Sequence, residues 1–438
     1  MSPVLHPLSD ADRRAMAQIR QQAAPARGVL ERAAFDTVME HTPPAGGMMQ
    51  EAGTVGGVPG WWSRPPGAPA AAAILYLHGG AYVLGSAAAY RNFVGQIAHS
   101  AGLAAFAPDY RLAPEHPFPA AVDDAQAVYR GLGELGFSDI LLVGDSAGGG
   151  LTLVLLALAS ASARDGRGAA PRAAAVMSPW TDLALTGATL VSKAEADPLL
   201  TPAALHSAAA QYLGAHDPRD PKASPLYGDL AGLASVMIQV GGDEILLDDA
   251  RRYAERMAAA GGEIQLHQWA GMPHVFPANI GVLTAAQPAV DAIGSFLRRH
   301  GRSDHLNGEL QMTRVLFVGQ APDTVDFSDP ALPRGFDAEK IQAGIDLAVA
   351  KIAERGWQGD LCMIAPDAGG VAMLEKQLAG ATYDCVVIGG GLRLPPKSLG
   401  LFETVVNAVH KGAPGAAIAF NTSPPDTAEA AARWLKAD

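Results

Sequence analysis

The sequence predicts an α/β protein with a mostly parallel sheet, followed by a second, smaller α/β unit. Two observations indicate this. Short apolar runs alternate with longer helical patterns from residue 73 onward, and the same rhythm restarts after a polar stretch. The apolar runs are continuous rather than alternating, as expected of strands buried on both faces. In the first unit the predicted strands are Ala73–Leu77, Leu103–Ala107, Ile140–Val143, Ala173–Met177, Val236–Val240 and Ile264–Trp269.

Two segments of the first unit do not follow the sheet rhythm. Residues 1–45 contain a predicted helix from Ser9 to about Ala24, and residues 183–222 contain another helical stretch. Residues 35–62 are expected to supply one or two antiparallel edge strands. The polar run 301–311 is typical of a linker and separates residues 46–300 from residues 312–438.

Composition narrows the class of protein. The chain has 438 residues, 49% of them hydrophobic, which is enough to form hydrophobic cores without stabilising disulfides or metal ions. The net charge of −12 argues against nucleic acid or anionic lipid as a partner. Only two cysteines are present, Cys362 and Cys385, which excludes a disulfide scaffold or a cysteine-based zinc cluster. We expect both to be reduced, packed thiols.

The N-terminal residues give no sign of export. No basic region followed by an apolar region occurs at Met1–Asp10, so no signal peptide is predicted. The apolar stretch Leu151–Ala159 is far shorter than the ~20 residues that cross a bilayer. We therefore expect no membrane span and a cytoplasmic location.

The motif Gly144-Asp145-Ser146-Ala147-Gly148 follows a predicted strand and opens an apolar helix. A G-x-S-x-G sequence in this context is typical of a nucleophile elbow, a sharp turn that lifts a serine above the sheet. The turn requires small residues at Gly144 and Gly148. The helix N-terminus beside Ser146 offers N–H groups to an oxyanion. Ser146 is therefore the predicted nucleophile.

A second motif, His78-Gly79-Gly80-Ala81, comes directly after the first predicted strand. Small residues here allow backbone N–H groups to point into a cavity and form an oxyanion hole. The predicted donors are the amides of Gly80 and Ala81, together with that of Ala147. We expect the ring of His78 to brace this loop rather than to act as the base.

A serine nucleophile needs a base and an orienting acid, which this architecture places in loops after later strands. Asp243 is the first carboxylate past its strand and is the predicted acid, whereas Glu244 is expected to point elsewhere. His274, on a loop with glycine and proline, is the predicted base. Asp248 and Asp249 are expected to cap the following helix or to form salt bridges.

Two further inferences concern charged residues and histidines. Asp109, Arg111 and Glu115 are expected to form a charge network that fixes their loop. The remaining histidines show no spacing that indicates a zinc site.

These motifs resemble the hormone-sensitive-lipase family of bacterial esterases (family IV, α/β-hydrolase fold), in its GDSAG branch. The resemblance covers about residues 1–300, and the segments that carry it occur in order: HGGAYVLGS, PDYRLAPEHPFPAA, GDSAGGG, SPWTDL, GGDEILLDD and GMPHVF. It implies a cap built from residues 1–45 and 183–222 over the catalytic domain. It also implies hydrolysis of small, short-acyl carboxylic esters without metal or organic cofactor. One departure is Ala81, where this family often has glycine.

Two other functions share this fold. The same serine, acid and histidine could serve a lactone or amide hydrolase, which turnover of such substrates would distinguish. A non-catalytic small-molecule-binding protein on this fold is disfavoured because His274 is present.

Residues 312–438 are expected to form a four-stranded flavodoxin-like or Rossmann-like domain. No G-x-G-x-x-G follows its first strand and no Walker sequence occurs, so nucleotide binding is unsupported. Two roles stay open: a packing module through which the chain forms a homo-oligomer, or a small-molecule or regulatory module.

Overall fold

The computed structural model describes residues 2–23, 32–301, 313–327, 337–393 and 398–435. They form two compact units, Met1–Ser303 and Asp304–Asp438, and the boundary falls within the segment 301–311.

The first unit is built on a nine-stranded sheet with the order β1-β9-β8-β7-β6-β4-β5-β3-β2. Only the hairpin of β2 and β3 joins it in antiparallel fashion, which agrees with the edge strands expected in residues 35–62. The strands are β1 Val4–His6, β2 Met49–Val55, β3 Val58–Arg64, β4 Ala72–Leu77, β5 Ala104–Pro108, β6 Asp139–Asp145, β7 Ala174–Met177, β8 Val236–Gly241 and β9 Ile264–Trp269.

Helices cover both faces of this sheet, and apolar clusters fill the space on each side. The strands β4, β6, β7 and β8 are buried along their whole length, which explains their continuous apolar sequence. The helices of the first unit are α1 Asp10–Ala23, α2 Arg32–Glu40, α3 Ala87–Ala101, α4 Ala120–Glu134, α5 Ser146–Arg164, α6 Thr189–Ser192, α7 Pro202–Leu213, α8 Leu247–Ala259 and α9 Ala286–His300.

Helix α5 differs from its sequence-based expectation in length. The sequence-based expectation considered only the apolar stretch Leu151–Ala159, which is too short to cross a membrane. The whole helix has 19 residues and, by length and composition only, could cross one. In the structure it contacts β6 and β7, and its residues from Ser146 to Leu156 are buried in the core. Its apolarity is thus that of a central core helix.

The parallel register brings two pairs of loops together. β4 and β6 pair from Ala72 opposite Asp139 to Leu77 opposite Gly144, so the loops that follow these strands are neighbours. β8 and β9 likewise end with Gly241 opposite Trp269. Each motif singled out in the sequence therefore lies at the same, carboxyl edge of the sheet.

The second unit has a four-stranded parallel sheet with the order β11-β10-β12-β13. Its faces carry two separate apolar clusters. Cys362 and Cys385 are buried and free, as predicted, and burial raises their thiol pKa to about 11 and about 12. Its elements are β10 Arg314–Gln320, α10 Ala338–Glu354, β11 Gln358–Ile364, α11 Ala368–Gly380, β12 Cys385–Ile388, α12 Gly390–Arg393, α13 Leu399–Gly412, β13 Ala417–Phe420 and α14 Thr427–Ala432.

Candidate active site

Ser146 lies at the tight turn between β6 and α5. Its φ of +52° is in the left-handed region, which is sterically costly for a residue with a side chain. Side chains at the flanking glycines would not fit, because a Cβ at Gly148 would collide with the carbonyl oxygens of Leu77 and His78. The turn therefore has the strained geometry that the G-x-S-x-G pattern predicts.

His274 lies beside this serine, on the loop after β9. Its Nε2 is 2.8 Å from Ser146 Oγ, and both residues are buried, with exposed fractions of 7% and 9%. The next residue, Val275, donates its N–H to Ser178 Oγ over 3.0 Å and has a φ of +51°. This geometry lets an imidazole take the hydroxyl proton directly.

The carboxylate that orients His274 belongs to Glu244, not to Asp243. Glu244 Oε2 is 2.7 Å from His274 Nδ1. The other oxygen, Oε1, accepts the N–H of Gly241 over 2.6 Å and the hydroxyl of Ser178 over 2.8 Å. Glu244 is fully buried, and each oxygen has a partner. The prediction of Asp243 in this position was wrong.

Asp243 is instead directed toward the N-terminal helix and the 183–222 segment. Its Oδ2 is 2.8 Å from Arg20 Nη2 on α1, and its Oδ1 is 3.2 Å from Lys193 Nζ. Neighbouring residues of a loop point in different directions, so only one of two adjacent carboxylates can face His274. The partners of both carboxylates include residues that are distant in sequence, Arg20 for Asp243 and His274 for Glu244, so no local signal could have identified Glu244.

The electrostatics of His274 suit a general base. Burial lowers its pKa, but the hydrogen bond and negative charge of Glu244 outweigh this effect, with smaller contributions from Asp197 and Asp145. The net result is a pKa above the ordinary 6.5. The imidazolium formed during proton transfer is therefore stabilised.

The loop after β4 has the backbone geometry expected of an oxyanion hole. Gly80, Ala81 and Tyr82 all have positive φ, at +115°, +53° and +64°. Only glycine adopts such angles without strain, so Ala81 occupies a position that favours glycine. Within the described part of the chain, the amides of Gly80 and Ala81 donate to no protein acceptor. The amide of Ala147, in the first turn of α5, has no partner in the helical pattern.

Asp145 attaches this loop to the serine turn. Its carboxylate accepts the N–H of Gly79 over 3.0 Å and the hydroxyls of Tyr76 and Tyr90 over 2.7 and 3.1 Å. Burial raises its pKa to about 6, although these three hydrogen bonds act in the opposite direction. The residue before the candidate nucleophile thus fixes the loop that carries the free amides.

His78 braces the same loop, in agreement with its predicted role. Its Nδ1 lies 2.8 Å from the carbonyl oxygen of Gly79, and its ring stacks on Tyr110 at 4.3 Å. The hydroxyl of Tyr110 in turn donates to the carbonyl oxygen of His78 over 2.6 Å. Burial lowers the pKa of His78, which favours the neutral form of the ring.

The expected network of Asp109, Arg111 and Glu115 is not formed. Arg111 pairs with Asp124 on α4 at 2.7 Å, and Asp109 accepts the N–H of Ala87 at the start of α3. The partner of Glu115 is Arg32, at 2.6 Å. Each charge stabilises a contact with a different helix, which the spacing along the loop could not reveal.

Two other acidic residues also differ in part from expectation. Asp248 accepts the N–H of Thr189 and lies 3.9 Å from Arg251 on its own helix. Asp249 accepts the N–H groups of Thr181 and Asp182, so it ties α8 to the segment after β7 rather than capping its own helix. No group of three potential metal ligands occurs among the described residues.

Comparisons with known proteins indicate the family to which this fold belongs. A family model described as the alpha/beta hydrolase fold matches residues 74–278. An acetyl-hydrolase from Streptomyces hygroscopicus is 40% identical over 61% of this chain and 88% of its own length. An ethyl acetate hydrolase from Pseudomonas putida is 34% identical over 54% of this chain and 77% of its own length.

A solved structure gives the same result. An esterase from the bacterial hormone-sensitive lipase family matches with a TM-score of 0.63 and 41% identity, over 67% of this chain and 99% of that one. The matching structure thus corresponds in extent to the first unit. On its sequence, its fold and the geometry around Ser146, this chain belongs to the α/β-hydrolase family.

Proposed function

We propose that this protein is a serine carboxylesterase that cleaves small, short-acyl esters through an acyl-enzyme. Relatives of this chain are named esterase, carboxylic ester hydrolase and ethyl acetate hydrolase. The observation that carries the proposal is the hydrogen-bonded series Ser146 Oγ, His274 Nε2, His274 Nδ1 and Glu244 Oε2, with distances of 2.8 and 2.7 Å.

The roles follow from this geometry. His274 removes the hydroxyl proton of Ser146 as Oγ attacks the ester carbonyl. The amides of Gly80, Ala81 and Ala147 stabilise the oxyanion of the tetrahedral intermediate. His274 then gives its proton to the leaving alcohol. Water next attacks the acyl-enzyme while His274 takes its proton, and Ser146 regains a proton from His274 as the acid is released. Glu244 holds the imidazole tautomer that leaves Nε2 free to accept a proton.

Two lines of support favour short acyl groups. Relatives that this chain matches are named for acetyl and ethyl acetate hydrolysis. In addition, the nucleophile and base are more than nine-tenths buried beneath neighbouring segments. Together they favour substrates with small acid and alcohol groups. On the motif Gly144-Asp145-Ser146-Ala147-Gly148 we further propose that the chain belongs to the GDSAG branch of the hormone-sensitive-lipase family.

The test uses a series of p-nitrophenyl esters, from acetate to palmitate, with wild-type protein and Ser146→Ala. We expect kcat/KM to be highest for acetate or butyrate and to fall by orders of magnitude in the variant, because the nucleophile is lost. Hydrolysis by Ser146→Ala at near-wild-type rates would overturn the proposal. Faster turnover of a lactone or an anilide would instead favour the alternative hydrolase functions.

For the second unit we propose a flavodoxin-like arrangement. Its first strand lies between its second and third, so the order second-first-third-fourth matches the start of that doubly wound topology. In such sheets ligands bind beyond the carboxyl ends of the strands, where this unit has Gly389–Gly391 and Asn421. We also propose that this unit mediates the formation of a homo-oligomer.

A further inference from the structure

The loop that carries Glu244 is held from both sides by segments that do not belong to the sheet. We define the cap clamp as Arg20, Lys193 and Asp197 with their contacts to residues 243 and 245. Arg20 is on α1, while Lys193 and Asp197 are in the segment between α6 and α7. The two segments are far apart in the sequence, with Arg20 and Ala196 separated by 176 residues, and they meet at this loop.

On one side of Glu244, the clamp acts on the side chain of Asp243. Arg20 Nη2 and Lys193 Nζ contact its two oxygens at 2.8 and 3.2 Å. Arg20 also donates through Nη1 to the carbonyl oxygen of Ala196 over 2.5 Å, so it joins the two segments directly. The side chains of Arg20, Lys193 and Asp243 are between one quarter and two fifths exposed, so salt in the solvent can reach these two ion pairs.

On the other side, the clamp acts on the backbone of Ile245. Its N–H donates to Asp197 Oδ2 over 2.9 Å. Asp197 is fully buried, and its second oxygen accepts the N–H groups of Leu199 and Leu200, each over 2.9 Å. The position of Ile245 is therefore tied to the fold of the segment that precedes α7.

We propose that Asp243 is a positioning residue whose ion pairs, together with the Asp197 contact, couple the position of α1 and of the segment between α6 and α7 to the orientation of Glu244. This inference rests on the proposed function, since Glu244 is its triad acid. Residues 243 and 245 flank Glu244, so a shift of either segment moves the carboxylate that orients His274. Movement by about 1 Å at such a group is enough to cost rate.

The experiment compares wild type, Asp243→Asn, Arg20→Gln and Lys193→Gln. Asparagine keeps the size of Asp243 and removes its charge. We expect kcat/KM for a short ester to fall about 2- to 30-fold in Asp243→Asn, the loss typical of two partly exposed ion pairs, with a lower kcat and a higher KM. The single cation variants should lie between it and wild type.

Salt and pH distinguish positioning from a general loss of stability. Raising the salt to about 1 M shortens the screening length to about 3 Å, so wild-type kcat/KM should fall toward that of Asp243→Asn, which itself should respond little. The acid limb of the pH profile should move slightly to lower pH in Asp243→Asn, because a misoriented Glu244 raises the pKa of His274 less, whereas a general loss of stability would leave the limb in place.

The matched control is Glu51→Gln, which removes the carboxylate of another exposed ion pair, with Arg64 at 3.3 Å in the β2–β3 hairpin. It should keep wild-type kcat/KM and the wild-type salt response. Wild-type kinetics and salt response in Asp243→Asn would overturn the proposal. A loss of about 10⁴-fold, as large as that expected for removal of a triad acid, would overturn it in another way, by making Asp243 that acid. Persistence of activity in Ser146→Ala is a separate result, which overturns the proposed function itself and is distinguishable from a failure at Asp243.

Discussion

At Glu244, one carboxylate serves three donors. Oε1 takes the N–H of Gly241 and the hydroxyl of Ser178, which leaves Oε2 for the ring of His274. Ser178 also accepts the N–H of Val275, so one hydroxyl connects the acid to the loop of the base. The relative position of acid and base is thus fixed by hydrogen bonds that do not involve substrate.

Replacing Glu244 by glutamine should reduce kcat about 10³- to 10⁴-fold for a short ester. The amide can present an N–H group to Nδ1, which favours the tautomer in which Nε2 carries the proton and cannot accept another. The measurement is steady-state hydrolysis beside Asp243→Asn, which should be far milder. Near-wild-type kcat in Glu244→Gln would contradict the assignment of the acid.

The pH profiles of wild type and Glu244→Gln supply an independent check. Neutral His274 is the active form, and its pKa lies above 6.5, so wild-type kcat/KM should fall as the pH drops through that raised pKa. Glu244 is the main cause of the raised value. The acid limb of Glu244→Gln should therefore shift to lower pH, and a limb that stays in place would count against the pair.

Single residues differ in how far sequence could predict them. Ser146 and His274 each follow a strand at a turn rich in small residues, so pattern and spacing were sufficient. The pair Asp243 and Glu244 could not be resolved, because the side chains that contact Asp243, Arg20 and Lys193, are both distant in sequence. Long-range ion pairs such as Arg111 with Asp124 carry no local signature for the same reason.

At the scale of elements, the N-terminal strand shows a similar limit. β1 has only three residues, too few to form a recognisable apolar run. Val4 and Leu5 are also 47% and 68% exposed, so the strand does not belong to the buried core. It pairs in parallel with β9, which places His6 against Trp269. Their rings stack at 3.7 Å, and His6 Nε2 lies 3.0 Å from His267 Nδ1. The buried strands, by contrast, were predicted within one or two residues from continuous apolarity alone.

The pair of His6 and His267 should make the stability of the first unit sensitive to acid. Burial, and then the proximity of His6, lower the pKa of His267 to about 4 from 6.5. The folded state binds fewer protons than the unfolded state between these values, so the free energy of unfolding should decrease as the pH falls from about 6.5 to about 4. Urea unfolding of wild type and His267→Gln at pH 7 and pH 5 measures this effect.

In that experiment the variant should lose less stability between the two pH values than wild type does. The control is His99→Gln, at an exposed position of α3, which should lose as much as wild type. Equal losses in all three proteins would show that the histidine pair does not contribute in this range.

At the scale of the whole molecule, each unit has its own apolar clusters on both faces of its own sheet. Every residue of the candidate site is in the first unit. The motifs also lie entirely before residue 300, which is why the sequence could indicate chemistry for the first unit and only an architecture for the second. A parallel sheet can be predicted from alternating patterns, but a role requires side chains with recognisable chemistry.

A protein truncated after Ser303 should therefore fold and hydrolyse short esters with a kcat/KM close to that of the full chain. The hormone-sensitive-lipase-family structure supports this, since 99% of it is covered by 67% of this chain. Activity, thermal unfolding and solution mass of both proteins give the test. Loss of folding or activity would mean that the first unit depends on residues 304–438. A full chain that assembles while the truncated protein stays monomeric would assign assembly to the second unit, and the same number of subunits in both proteins would remove that role.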